Sequence, residues 1–329
     1  MFLPLTVRNK LWIAGLLLSA LALPLASSNS YLMHVMILSM IFAVFASAWN
    51  LVTGFGGLKT FGHHAFFGIG AYASALIAIR TGLSPWVTMW LGALAAAAAG
   101  VFIGLPILRI RSMPHVAIVT LGFAEIVRIV ISNLQTVTRG EMGLWGIPAF
   151  GGFTAPGVGT VAFTPADKVP FYYLALGMLV LSLWAIAALM RSRTGLTLVA
   201  MRDAEDAAQS LGVNLTRNKL LVFAVSSFIV GLAGAFYAHY IGILTPSAAV
   251  GVDLMILVIA MTLVGGLGTL SGPVAGAFAL TIAVELLRSI EDYRMLLYGA
   301  ASVVIVLFLP KGLVTLRRRS TRGVEARIP

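Results

Sequence analysis

Long uninterrupted apolar runs dominate the pattern of residues along the chain. Lys, Arg, Asp and Glu are absent from positions 11–58, 60–79, 81–108, 169–190, 220–252 and 254–284. Each run accommodates at least one helix of about 20 residues, the length that crosses a hydrocarbon core about 30 Å thick. Because the runs are continuous and do not alternate over segments of about 10 residues, they predict helices rather than the strands of a membrane barrel.

The runs divide into about ten predicted membrane-spanning helices, with about eight to ten as the range. The predicted fold class is therefore an all-α polytopic membrane protein, with a single transmembrane domain over residues 1–329. The first span also resembles a cleaved signal peptide, because it follows Arg8 and Lys10 and ends in ALPLASS. The predicted spans are 11–26, 31–49, 63–79, 86–108, 116–137, 169–190, 220–243, 252–271, 273–290 and 294–310.

Composition agrees with a membrane protein, since 60% of the residues are hydrophobic and only 10% are charged, against about 25% in soluble domains. The chain has no cysteine, which excludes disulfides, thiolate metal sites and cysteine nucleophiles. His63 and His64 have no further ligand at metal spacing. We expect no catalytic residue, no metal and no cofactor in this chain, because no His, Asp and Glu set stands at catalytic spacing.

The net charge of +11 has the distribution expected if both termini are cytoplasmic. That orientation places 16 of the 22 basic residues on the cytoplasmic side, where Lys and Arg are normally in excess. Five others lie outside or at its margin, and Arg128 lies within a span. The basic tail at 311–329 is therefore interpreted as a positive-inside anchor at the lipid surface, and we expect no nucleic-acid partner.

Two polar segments interrupt the apolar pattern. Residues 139–168 are rich in Gly, Pro and Thr and predict an extracytoplasmic loop with turns, which offers a surface to a soluble partner. Residues 191–219 carry charges of both signs and predict a cytoplasmic loop between two spans.

Two glycine-rich stretches of the chain resemble each other, GGLKTFGHHAFFG from Gly56 and GGLGTLSGPVAGA from Gly265. Corresponding glycine interruptions are typical of duplicated transporter halves with broken helices near the transport path. Close helix packing explains the glycines equally well. The predicted spans put both turns in the cytoplasm, whereas an inverted repeat would put them on opposite faces of the membrane.

The stretch MRDAEDAAQSLGVNLTRNK at 201–219 predicts a short cytoplasmic helix. Asp203 is a favourable N-cap, acidic residues follow in the first turn, and Gly212 is a typical C-terminal stop. A helix of about two turns is marginal in water, so we expect it to dock on another protein, with a plain connecting loop as the alternative. Its small apolar face is formed by Ala204, Ala207, Ala208 and Leu211.

The sequence DAAQSLG at 206–212 resembles the EAA-type coupling motif of bacterial ABC import permeases, with Asp206 or Glu205 in place of the motif's glutamate. The stretch RDAEDAAQSLGVNLTRNKLLVFAVSSFIVGLAGAFYAHY resembles in register the branched-chain amino acid permeases of the LivM and LivH type. WNLVTGFGGLKTFGHHAFFGIGAYASALI, RIRSMPHVAIVTLGFAEIVRIV and LVGGLGTLSGPVAGA are similar to further stretches of that family. The chain departs from the family at Met142, where an asparagine usually precedes Gly-Leu.

This resemblance implies a type II ABC importer permease of a bacterial inner membrane, with broken glycine-rich helices. It implies a heterodimer with a second, LivH-like permease, two cytoplasmic ATPases of the LivG and LivF type, and a periplasmic binding protein. ATP and Mg²⁺ would belong to the ATPases, because the chain has no Gly-Lys dipeptide and therefore no GxxxxGK[ST] phosphate loop. The implied coupling helix, which sits in an ATPase cleft, uses Asp203, Glu205, Asp206, Ala207, Ala208, Leu211 and Gly212.

Candidates for the translocation path lie near the first glycine-rich stretch and on one span. Irregular backbone at membrane depth is tolerated where it lines a cavity. Glu125 and Arg128 are three residues apart on a predicted span, so they share a face and form either a fixed structural pair, which we favour, or part of the path. The other candidates are Asn50, Thr53, Gly54, Gly56 and Gly57.

The expected function is that of a permease subunit of an ABC importer for leucine, isoleucine and valine. A urea or short-chain amide importer is an alternative, because members of the family for these solutes share the quoted motifs. An ion-coupled secondary transporter also explains broken helices, but it usually carries intramembrane acids for the coupling ion and leaves residues 203–212 unexplained.

Overall fold

The computed structural model describes residues 15, 18–24, 29–107, 110, 113–155, 159–164 and 167–286. Most of this part of the chain is helical, and a π-helical turn at Leu51–Phe55 extends the first long helix. The helices are α1 (Ser30–Asn50), α2 (His63–Thr81), α3 (Pro85–Ile107), α4 (Met113–Asn133), α5 (Gln135–Thr138), α6 (Val169–Arg191), α7 (Arg193–Asp203), α8 (Glu205–Ser210), α9 (Leu215–Ile241), α10 (Pro246–Val250), α11 (Val252–Gly265) and α12 (Gly272–Leu286).

Within the described residues, six helical stretches are long and apolar enough to cross a membrane. They are Ser30–Phe55, Pro85–Ile107, Pro114–Asn133, Val169–Arg191, Leu215–Ile241 and Pro246–Gly265. The chain is therefore a polytopic helical membrane protein, and the count of about ten spans stays a prediction.

Other predicted spans differ from this set for identifiable reasons. α2 is helical over the predicted span 63–79 but is less apolar, because its first turn carries His63 and His64 and its last turn carries Arg80. The apolar part of α12 is short, at Gly272–Glu285. The predicted spans 294–310 and most of 11–26, the end of 273–290 and the basic tail lie outside the described residues.

The core of the bundle is α9 packed between α2 and α3. Small residues let these helices approach backbone to backbone, as interfaces in membranes favour. A Cβ added at Gly70 of α2 would lie 2.2 Å from the carbonyl oxygen of Gly231 of α9. α1 completes the core, packing against α6, α9 and α12.

The two ends of the bundle carry different structures. At one end, which we call the loop end, residues 139–150 lie over the C-terminus of α9, and Ile147 N donates a hydrogen bond to Gly242 O (3.4 Å). Two short antiparallel pairs form there, β1 (Leu144–Trp145) with β4 (Ile243–Leu244) and β2 (Phe153–Ala155) with β3 (Gly159–Val161).

The opposite end, which we call the turn end, holds the two glycine-rich stretches. The first glycine turn, 56–62, joins α1 to α2, and the second glycine turn, 266–271, joins α11 to α12. The two turns are in contact, because Gly268 N donates a hydrogen bond to the side-chain oxygen of Asn50 (2.8 Å). The two glycine turns therefore lie on the same face of the bundle. The predicted spans, which put both turns in the cytoplasm, require the same arrangement.

Candidate coupling site

α7 and α8 form a bent helical pair at the turn end, and together they contain the residues predicted to couple to an ATPase. α7 runs from Arg193 to Asp203, the backbone turns at Ala204 (φ −157°), and α8 follows over six residues. Thr197 of α7 donates a hydrogen bond to Asn218 of α9 (3.2 Å). α7 is therefore held against the start of α9.

The prediction that Asp203 caps the short helix is wrong. Asp203 is the last residue of α7, and the N-cap of α8 is Ala204, which offers no side-chain hydrogen bond. The Asp203 carboxylate instead pairs with the guanidinium of Arg202 (2.9 Å). The preceding residues continue as a helix up to Asp203, so its backbone is not free to take the extended conformation of an N-cap.

The C-terminus of α8 closes in a Schellman arrangement around Gly212. Gly212 has a positive φ of 82°; its N–H donates to Gln209 O, and the N–H of Val213 donates to Ala208 O. These two bonds satisfy carbonyls that a helix end leaves without partners, and the left-handed conformation favours glycine. α8 is therefore sharply limited to six residues.

α8 is anchored on one side and exposed on the other. Ala208 is buried, and the Glu205 carboxylate forms an ion pair with the buried Lys219 of α9. On the opposite side Ala207 is exposed and Leu211 is 86% exposed. The predicted apolar face is thus divided, with one member packed inward and Ala204, Ala207 and Leu211 facing out.

Asn50 joins the two glycine turns. Its side-chain nitrogen donates to Thr269 O (2.8 Å), and its oxygen accepts from Gly268 N (2.8 Å). A Cβ added at Gly54 would lie 2.0 Å from this amide oxygen and 2.6 Å from Gly268 N. The close fit needs glycine at position 54, and it fixes α1 to the second turn.

The neighbouring path candidates belong to the same buried cluster. Thr53 of the π-helical turn donates a hydrogen bond to Leu58 O of the first glycine turn (2.9 Å). Gly56 is buried at the end of the π-helical turn and its N–H donates to Leu51 O. The polar groups of Asn50 and Thr53 are thus engaged inside this chain, and a role for these residues in the path stays a prediction.

Arg202 reaches from α7 to the first glycine turn. One guanidinium nitrogen lies 3.2 Å from Gly54 O, and a Cβ added at Gly57 would lie 2.7 Å from Arg202 Cγ. In the sequence Arg202 appears only as a charge flanking the short helix. No local signal pairs it with a glycine 148 positions earlier.

Glu125 and Arg128 form an ion pair on α4, with 2.8 Å between Arg128 Nε and Glu125 Oε2. Their side chains remain 31% and 37% exposed. α4 is the most outward-facing of the six spans, with only 22% of its most apolar part buried within the chain. The pair therefore borders a surface of α4 that lipid or another protein chain must cover.

The two histidines at the start of α2 occupy different environments. His63 hydrogen-bonds to Thr60 (2.9 Å) and Ser226 (3.0 Å), whereas His64 is fully buried beside the main chain of Phe61. Nowhere in the described ranges do three His, Cys, Asp or Glu residues group as metal ligands would.

The loop end contains a cavity of about 350 Å³ lined by His34, Lys168, Phe171 and Tyr240, among others.

On the surface of the loop end, the guanidinium of Arg139 lies 4.5 Å from the ring centre of Trp145. Met142, the position at which the chain departs from the pattern of the family it resembles, is 87% exposed. A change at this position therefore alters the surface rather than the packing of the loop.

Comparison with known proteins adds family relationships to this geometry. A family model described as "Branched-chain amino acid transport system / permease component" matches residues 31–307. The chain is 35% identical over 328 residues to the high-affinity branched-chain amino acid transport system permease protein LivM of Salmonella typhimurium. It is 36% identical over 328 residues to LivM of Escherichia coli. Each alignment covers 95% of this chain and 76% of the relative.

More distant relatives include the high-affinity branched-chain amino acid transport system permease protein LivH. The chain is 23% identical to LivH of Escherichia coli over 291 residues, which are 83% of this chain and 91% of that protein. The autoinducer 2 import system permease protein LsrC of Enterobacter is 31% identical over 211 residues, 62% of this chain and 57% of that protein. No solved structure matches the chain.

Proposed function

Because the chain belongs to the family of permease components of branched-chain amino acid transport systems, we propose that it is the membrane subunit that carries leucine, isoleucine and valine through an ABC importer. The match to LivM extends over 95% of the chain, so the relationship applies to the whole bundle and not to one motif. The protein is a transport subunit, and ATP hydrolysis belongs to its partners.

The exposed side of α8 is the surface proposed to receive the cytoplasmic ATPase. The observation that carries this proposal is Leu211, a large apolar side chain 86% exposed at the end of a helix that is otherwise anchored. The exposed side of this six-residue helix carries Ala207 and Leu211 beside the polar Asp206 and Gln209. Such a surface suits a cleft on another protein, where burial stabilises a short helix that water does not. The turn end then faces the cytoplasm, and the loop end faces the binding protein.

The outward surface of α4 is proposed to meet the second permease subunit, which is LivH-like. An ion pair bordering a lipid-facing surface is unfavourable, since a charged residue in a span costs about 2.5–3.5 kcal/mol on insertion scales. A protein partner or a water-filled path between the subunits lowers that penalty. Glu125 and Arg128 are therefore proposed to border the translocation path at the subunit interface.

The docking role of α8 is tested by replacing Ala207 with Trp. The bulky ring occupies the space that the ATPase cleft needs, so we expect co-purification of the ATPases and uptake of labelled leucine to fall together. Leu196→Trp is the matched control, because Leu196 is 69% exposed on α7 outside the docking face. Both variants are first checked for membrane insertion.

The result that contradicts the docking role is equally clear. If Ala207→Trp inserts, retains its ATPases and transports leucine as the unmodified protein does, α8 is not the docking helix. Gly212→Leu provides an independent variant, since a positive φ disfavours leucine and the altered helix end should displace Leu211.

A further inference from the structure

The helix formed by α1 and its π-helical turn ends beside α7, and the side chain that meets this end is Arg202. The last carbonyls of a helix have no partner within the helix, and the C-terminus carries partial negative charge. Arg202 Nη1 donates a hydrogen bond to Gly54 O at 3.2 Å. A cation from the α7–α8 pair therefore caps the end of a long buried membrane helix.

The same side chain lies against both glycine turns. Gly57, with φ 74°, lies so close that a Cβ there would be 2.7 Å from Arg202 Cγ and 3.2 Å from Arg202 Cα. In the second glycine turn, a Cβ added at Gly268 would lie 3.3 Å from Gly54 O and 3.7 Å from Arg202 Nη1. Arg202 thus occupies the point where the first turn, the second turn and α7 meet.

The other side of the guanidinium is held by Asp203. Arg202 Nε and Nη2 each lie 2.9 Å from Asp203 Oδ1, and Asp203 immediately precedes the turn into α8. A guanidinium is planar with fixed donor directions. The bonds to Asp203 therefore fix the direction in which Nη1 reaches Gly54.

We propose that Arg202 is a positioning residue that transmits displacement of α8 to the end of α1 and to the paired glycine turns. The proposal rests on the proposed function, because it takes α8 to be the ATPase docking helix. Coupling between distant sites is carried by rigid elements and hydrogen-bond networks that move together. Here α7 is the rigid element. Arg202 donates a hydrogen bond to Gly54 O and packs against Gly57 of the first glycine turn. Asn50 transmits the movement to the second glycine turn through its hydrogen bonds with Gly268 and Thr269.

The test compares Arg202→Ala and Arg202→Lys in the full complex with its ATPases and binding protein, reconstituted in proteoliposomes. Three quantities are measured: co-purified ATPase, ATP hydrolysis and leucine uptake per ATP hydrolysed. We expect Arg202→Ala to retain its ATPases and its hydrolysis within about twofold, and to lose about two- to thirtyfold in uptake per ATP, the range over which mutations modulate coupling. Arg202→Lys keeps a cation for Gly54 O and should recover part of the loss.

A matched control and a second perturbation separate this role from a general effect of charge or folding. Arg193→Ala removes the same residue type from the other end of α7, where Arg193 is exposed and has no side-chain hydrogen bond or ion pair among the described residues; it should couple normally. Gly57→Ala should imitate Arg202→Ala, because the added methyl displaces the arginine stem. If Arg202→Ala does not insert, Arg202→Gln serves for the same comparison, since it keeps a donor without the charge.

The outcomes are distinct. Unchanged uptake per ATP in Arg202→Ala overturns the proposal, and so does a loss that Arg193→Ala shares. A loss of uptake that follows loss of the ATPases would make Arg202 a docking residue and would also overturn it. Failure of the proposed function appears separately, as an unmodified chain that does not co-purify with ATPases or whose uptake does not require ATP.

Discussion

Single glycines determine how closely the helices approach one another, and Gly70 shows the effect most directly. The atom facing it is the main-chain carbonyl oxygen of Gly231, which cannot rotate away as a side chain can. We expect Gly70→Val to lower the free energy of unfolding by about 1–3 kcal/mol, the usual cost of overpacking. The measurement is the thermal unfolding temperature of the purified protein in detergent.

Gly177 of α6 provides the control for this substitution. No described atom lies within 4 Å of a Cβ added there, so Gly177→Val should change stability by no more than about 0.5 kcal/mol. Equal losses for the two variants would show that helix propensity, and not the α2–α9 contact, sets the stability.

At the scale of residues, the sequence predicts conformation better than contacts. Gly212 could be recognised as a helix end because a left-handed residue is a local requirement. Asp203 could not be assigned correctly, because a helix N-cap and the end of a preceding helix look alike in RDAED. The contacts of Asn50 with Gly268 and of Arg202 with Gly54 join residues 218 and 148 positions apart, and no local pattern encodes them.

At the scale of elements, α8 depends on its anchor. It has six residues and no side-chain N-cap, so its own hydrogen bonds contribute little stability. The ion pair between Glu205 and Lys219, together with the buried Ala208, holds it against α9. Lys219 is buried, so removal of the carboxylate leaves a buried charge without its partner.

We therefore expect Glu205→Gln to loosen α8 and weaken ATPase binding. The coupling energy between positions 205 and 219 should lie in the range of about 0.5–3 kcal/mol found for contacting residues. A double-mutant cycle of Glu205→Gln and Lys219→Met measures it, with the affinity of the ATPase for the detergent-purified permease as readout. Additive effects of the two substitutions would contradict the anchoring role.

Element positions follow from the apolar runs more reliably than element lengths do. Predicted spans 31–49, 86–108 and 169–190 match α1, α3 and α6 closely, because apolar length alone defines them. The span predicted at 252–271 ends early, at Gly265, since the second glycine turn interrupts it. The span predicted at 116–137 ends at Asn133, and a separate short helix, α5, follows.

At the scale of the whole molecule, the exposed surfaces of the spans differ in what must cover them. α4 carries charge beside its exposed residues, whereas exposed residues of α6 such as Trp184 are apolar. The charges of α4 can be read from the sequence, whereas the face that each helix exposes cannot. It follows from how each helix is turned in the bundle.

The proposed subunit interface is tested by cross-linking. The chain has no cysteine, so one introduced cysteine is unique. Ile126→Cys on α4 and Trp184→Cys on α6, at positions 62% and 69% exposed, are labelled with a thiol-reactive photo-cross-linker. We expect a covalent product with the second permease from position 126 and none from position 184. A covalent product from position 184 and none from position 126 would place the subunit interface at α6 instead.

We propose that this chain forms the membrane passage of an ATP-driven importer of branched-chain amino acids. The most direct measurement is uptake of labelled leucine into proteoliposomes that contain the purified complex, with and without ATP and the binding protein. We expect uptake to require both and to be inhibited by unlabelled isoleucine and valine, but not by urea. Leucine uptake driven by an ion gradient without ATP would contradict the account.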